Sequence, residues 1–124
     1  MLDKIGQIAV NAKDIERATA FYRDKLGMKF LFSAPPGLAF FDAGGTWLML
    51  SPPSAPEFDH PSSILYFDVA DIKATHQALK SRGVEFRSEP HMLTRMEGRE
   101  LWLADFRDSE GNTLALRSWT TVGA

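Results

Sequence analysis

Two stretches decide the fold. The first runs Gln7-Ile8-Ala9-Val10-Asn11-Ala12-Lys13-Asp14-Ile15 and continues to Phe21-Tyr22-Arg23-Asp24-Lys25-Leu26-Gly27. The second runs Ile64-Leu65-Tyr66-Phe67-Asp68-Val69-Ala70-Asp71-Ile72 and continues to Leu79-Lys80-Ser81-Arg82-Gly83. Each has an alternating apolar stretch of strand type, an aspartate suited to cap a helix, and a glycine that stops it. A unit repeated at about half the chain length implies a pseudo-symmetric domain with a cleft between its halves.

Outward from the first stretch, Met28–Ala34 reads as a strand and Pro35-Pro36-Gly37 as a turn. Leu38–Ala43 and Thr46–Ser51 follow as strands around a Gly44-Gly45 hairpin. Prolines 52, 53, 56 and 61 exclude regular structure from the next ten residues, which serve as a linker. Ser62–Val69 opens the second half, and Asp71 caps a helix with Ile72, Thr75 or His76, and Leu79 on its inner stripe. Val84–Ser88 reads as the next strand, and Glu89–Gly98 as a polar stretch without a clear period. Arg99–Asp105 and Thr113–Trp119 form the last hairpin, turning at Asp108-Ser109-Glu110-Gly111. Each half is therefore βαβββ, the class is α+β, and residues 1–124 form one domain. Its modules cover about 1–51 and 62–120, joined by the linker 52–61.

Bulk properties narrow the function. The 124 residues carry a net charge of −2 with scattered Lys and Arg, which argues against nucleic acid and anionic membranes as partners. No cysteine is present, so thiolate metal sites, disulfides and a Cys nucleophile are excluded. Met1–Ile5 lacks an apolar export core, and no run approaches spanning length, so a cytoplasmic location is expected.

Strand alternation sorts side chains onto two faces. Ile8, Val10, Leu48, Leu50, Leu65, Phe67, Leu114 and Leu116 belong under the helices. The opposite face is mixed, with Gln7, Ala9, Asn11, Trp47, Met49, Ser51, Ile64, Tyr66, Asp68, Thr113, Ala115 and Arg117. Extending the same parity to 99–105 puts Leu101 and Leu103 under the helix and Glu100 and Trp102 in the cleft.

The chain resembles the vicinal oxygen chelate superfamily, which includes glyoxalase I, extradiol dioxygenases and bleomycin-resistance proteins. Its most specific motifs are Asp14-Ile15-Glu16-Arg17 leading to Phe21–Met28, and the turn Asp108-Ser109-Glu110-Gly111-Asn112. The resemblance implies paired βαβββ modules forming a cupped, eight-stranded mixed sheet, usually in a homodimer. It also implies a divalent metal held by His, Gln or Glu at positions that here carry Gln7, Met49, Ile64 and Ala115. A hard ion needs several oxygen or nitrogen donors, and one amide remains, so neither a metal nor another cofactor is expected.

The remaining candidates each read two ways. Glu100 is either a desolvated carboxylate beside Trp102, able to act as a general base, or a strand carboxylate paired with Arg95, Arg99 or Arg117. Trp47, Tyr66 and Trp102 either offer stacking surface to a planar ligand or fill the cleft and a dimer seam themselves. His91 with Glu100, and Asp59 with His60, lack the spacing of a metal site or the nucleophile of a catalytic dyad. The leading expectation is metal-independent binding of an aromatic or amphipathic small molecule, with drug sequestration as one form. Its surface is Gln7, Trp47, Met49, Ile64, Tyr66, Glu100, Trp102, Ala115 and Arg117. The alternative is a lyase, isomerase or dioxygenase-like enzyme with displaced metal ligands or a Glu100 base.

Overall fold

A computed structural model describes residues 1–121 and divides into two compact units. One comprises Met1–Ser63 with Ser109–Asn112, and the other Ile64–Asp108 with the chain from Thr113.

The first unit contains β1 (Gln7–Asn11), α1 (Ile15–Ala20), β2 (Lys29–Ala34), β3 (Leu38–Ala43) and β4 (Thr46–Ser51). Its four strands form a mixed sheet in the order β1-β4-β3-β2, with β1 parallel to β4 and the other pairs antiparallel. Asp14 caps α1 by accepting the Arg17 N–H at 3.0 Å. After Ala20 the helix widens into a π-helical turn, Phe21–Lys25, and the Leu26 N–H reaches back five residues to the Phe21 carbonyl. The wide turn places two consecutive rings, Phe21 and Tyr22, in the core. Gly27, at φ 70°, then turns the chain into β2. Val10, Leu48, Leu50, Phe41 and Tyr22 are at most 1% exposed, and each such side chain contributes about 1.5–3 kcal/mol by leaving water. Between Ser51 and Ser62 the linker is not wholly irregular, because Pro56–Phe58 forms one turn of 3₁₀ helix.

The segment Ser109–Asn112 completes this unit. Glu110 accepts the Asp14 N–H at 2.9 Å and two bonds from Arg17, at 2.7 and 3.1 Å. Burial pushes the Glu110 carboxyl upward, but bonds from Arg17, the Asp14 backbone and Ser109 outweigh it and bring the pKa to about 2. Asn112, 1% exposed, accepts the Ser62 N–H at 2.9 Å and donates to the Asn11 carbonyl at 2.8 Å.

The second unit contains β5 (Leu65–Asp68), α2 (Ile72–Ser81), β6 (His91–Met96), β7 (Arg99–Arg107) and β8 (Thr113–Thr121). It repeats the topology, in the order β5-β8-β7-β6, with β5 parallel to β8 and the rest antiparallel. Asp71 caps α2 through the Ala74 N–H at 3.1 Å, and α2 packs on β7 and β8. Its inner stripe is Ile72, His76 and Leu79.

One strand lies where the sequence reading did not put it. Val84–Ser88 is reduced to a single antiparallel bridge from Phe86 to Phe106, and the ladder beside β7 is built by His91–Met96. All six residues of β6 are exposed, so no buried face imposed an alternating pattern on them. Among the described residues no helix is long and apolar enough to cross a membrane.

Candidate functional site

Cross-strand register fixes what the first sheet presents on the face opposite α1. Met49 pairs with Phe40 and Ala9, Trp47 with Gln7, and Phe32 with Phe40. Directly opposed residues share a face, so Phe32, Phe40 and Trp47 meet there. Phe32 stacks on Phe40 with centroids 4.6 Å apart, and both make T-shaped contacts with the Trp47 ring at 5.5 Å. Trp47 remains 41% exposed, so one part of the indole is still available to a ligand. The two phenylalanines escaped the sequence reading. The turn at residues 35–37 that pairs β2 with β3 was the signal that could have placed them.

Beside this aromatic group is a cavity of about 620 Å³. Ala9, Leu38 and Met49 contribute from the strands, Pro36 from the β2–β3 turn, and Pro53 and Phe58 from the linker. Its polar end is Asn11, His60 and Ser62. Ser62 Oγ accepts the Asn11 N–H at 2.8 Å, and Asn11 Nδ2 donates to the His60 carbonyl at 3.1 Å, which ties linker to strand. Gln7 Nε2 is 3.6 Å from Met49 Sδ on the same face, a weak contact for an exposed amide. The volume falls in the range of small-molecule sites, and the walls combine apolar side chains with a few convergent polar groups.

The second sheet corrects two expectations. Trp102 lies opposite Ser118, Ala104 opposite Leu116, and Phe106 opposite Leu114, with no slip along β7 and β8. Ala104, Phe106, Leu114 and Leu116 are buried, and Phe106 reaches α2 through Phe86 and His76. Glu100 and Trp102 therefore occupy the helix-bearing face, where the Lys73 ammonium of α2 sits 5.3 Å from the Trp102 ring centroid. Leu101 and Leu103 take the opposite face. The inversion arose because both faces of β7 carry apolar residues, so Leu101 and Leu103 alone could not set the parity.

Glu100 is paired, as the second reading of that residue expected. Its carboxylate accepts Arg95 Nη2 at 2.6 Å and the Trp102 indole N–H at 3.2 Å. Those bonds, Arg95 first, hold its pKa below the ordinary carboxylate value, which is opposite to what a general base near neutrality requires. His91 lies opposite Leu103 and so on the other face from Glu100, and the two do not form a site. Asp59 pairs with Lys13 at 3.5 Å, and His60 Nδ1 contacts the Pro61 carbonyl at 2.9 Å, so these neighbours form no dyad.

Tyr66, Ala115, Asp68 and Arg117 share the face of the second sheet opposite α2. Tyr66 is 53% exposed, and Ile64, just before β5, is 48% exposed. Arg117 grips Asp68 with two bonds, at 2.6 and 3.0 Å. The bond from Arg117 lowers the Asp68 pKa, and the same pair raises that of Arg117. Arg117 is thus half-committed before any ligand arrives.

The family's metal positions supply one neutral amide, Gln7, and one thioether, Met49, with Ile64 and Ala115 contributing no donor. This set does not fit a hard divalent ion, which requires several oxygen or nitrogen ligands. Among the described residues, no group of three or more His, Asp or Glu side chains could hold one elsewhere.

Comparison with known proteins agrees with this architecture. The model of the Glyoxalase/Bleomycin resistance protein/Dioxygenase superfamily matches residues 4–116. Protein YurT of Bacillus subtilis (strain 168) is 32% identical over 128 residues, covering 91% of this chain and 97% of its own. Among solved structures, TnmS3, an antibiotic binding protein from Streptomyces sp. CB03234, superposes with a TM-score of 0.77 at 23% identity, covering 96% of this chain and 98% of that one. The lactoylglutathione lyase from Agrobacterium tumefaciens gives 0.74 at 22%, covering 93% and 92%. At such identities the structural likeness shows a shared fold.

Proposed function

Because this chain belongs to the Glyoxalase/Bleomycin resistance protein/Dioxygenase superfamily, we propose that it binds a small, partly aromatic molecule on the first sheet without a metal ion. The carrying observation is the cavity of about 620 Å³ between Met49, Leu38 and Phe58, with the partly exposed Trp47 on the same sheet face. Apolar walls release water when a flat ligand enters, and the exposed part of the indole adds aromatic surface on the same sheet face. That TnmS3, which shares the fold, is an antibiotic binding protein favours a binding role. The Arg95-paired state of Glu100 weighs against the alternative that this carboxylate serves as a base. A homodimer in the cytoplasm accompanies the reading, and sedimentation equilibrium tests the oligomeric part.

Calorimetric titration with 2-methoxynaphthalene tests the binding. Saturable one-to-one binding is expected, weakened at least tenfold by Met49→Trp, which fills the cavity, and unchanged by a chelator. Failure of this probe and of its hydroxyl analogue, 2-naphthol, to bind refutes the proposal. Stoichiometric zinc, nickel or iron held by protein purified without chelators refutes its metal-independent part.

A further inference from the structure

The polar end of the cavity has a direction. His60 Nδ1 lies 2.9 Å from the Pro61 carbonyl oxygen, which can only accept. In the neutral ring the proton is therefore on Nδ1, and Nε2 carries a lone pair. Among the described residues no hydrogen bond engages that Nε2. Asn11 is biased the same way: its Nδ2 donates to the His60 carbonyl, leaving Oδ1 as a buried acceptor without a donor partner in the cavity wall. The hydroxyls of Ser51 and Ser62 rotate and can serve in either sense. Asn11 Oδ1 is fully buried, so the acceptor of fixed polarity that a ligand can reach is His60 Nε2.

We propose that the cavity selects a planar aromatic ligand bearing an O–H or N–H donor, which His60 Nε2 accepts while the ring lies against Met49 and Leu38. The inference rests on the binding reading above and specifies its ligand class. A ligand of the same shape with a capped donor leaves the imidazole lone pair dry and unpaired, and loses affinity accordingly. His60 is exposed and outside every strand and helix, so replacing it leaves the fold intact.

The test compares 2-naphthol with 2-methoxynaphthalene by calorimetry at pH 8. Wild-type protein should bind the naphthol at least tenfold more tightly. His60→Leu should bring the two within twofold, because the naphthol loses its acceptor and the methoxy compound no longer covers an unpaired lone pair, and His60→Gln, which can present a carbonyl acceptor, should restore part of the preference. Equal binding of both probes to the wild type, or a preference that survives in His60→Leu, overturns the donor assignment and leaves the binding reading standing. No saturable binding of either probe overturns both.

Discussion

Glu110→Gln is the perturbation with the most calculable outcome. The Glu110 side chain is 1% exposed and its pKa stands at about 2, against an ordinary glutamate value of 4.5. Full linkage over that interval corresponds to about 3 kcal/mol of stability at neutral pH. Arg17 is 55% exposed, and water screening reduces the working figure to about 2 kcal/mol. The sign follows from the depressed folded pKa. Stability from the ionised carboxylate is fully present above the unfolded value and is lost as pH falls from about 4.5 towards 2. Urea unfolding of wild type and Glu110→Gln, followed by tryptophan fluorescence at pH 7, 5, 4 and 3, reads this directly. The variant should be less stable by about 2 kcal/mol at pH 7 and 5, and the gap should narrow at pH 4 and 3. A gap below about 0.5 kcal/mol at pH 7, or one unchanged at pH 3, refutes the assignment of this stability to the ionised carboxylate.

Three further outcomes are expected. Asn112→Ala leaves the Ser62 N–H and Asn11 carbonyl without their partner and should cost about 2–4 kcal/mol, seen as a lower urea midpoint. His76 is 5% exposed with no hydrogen bond to Nε2, and Glu89 lies 3.6 Å away, so its ring acts by packing on Phe86. His76→Phe should then change stability by less than about 1 kcal/mol, whereas His76→Ala should cost about 2–4, by the same urea assay. Glu100→Gln should leave 2-methoxynaphthalene affinity unchanged in calorimetry, since Glu100 is on the helix-bearing face and outside the cavity lining.

The paired modules were legible because their punctuation is local. Asp14 and Asp71 cap helices through their own neighbours, and Gly27 and Gly83, at φ 70° and 87°, end them. Trp47 was placed on the correct face because β4 alternates cleanly, with Leu48 and Leu50 buried on the other side. Alternation failed in β7, where Leu101 and Leu103 mimic a core pattern and only pairing with β8 reveals Ala104 and Phe106 as the buried residues. It was silent in β6, whose residues are all exposed. The cavity was beyond sequence reading for another reason. Its far wall comes from Pro53, Phe58 and His60, in a linker whose path depends on tertiary contacts such as the Asn11 amide bond to the His60 carbonyl.

The wide turn at Phe21–Lys25 has a consequence for how this module tolerates change in length. An ordinary helix advances by about 100° per residue, so two adjacent bulky rings diverge more widely there than in a turn of slacker pitch. Deleting one residue among the five would tighten the coil to normal pitch, swing either the phenyl or the phenol towards solvent, and misalign Gly27 with the start of β2. Point replacements at the exposed positions Arg23, Asp24 and Lys25 leave that geometry alone. The segment is therefore permissive in letters and strict in count.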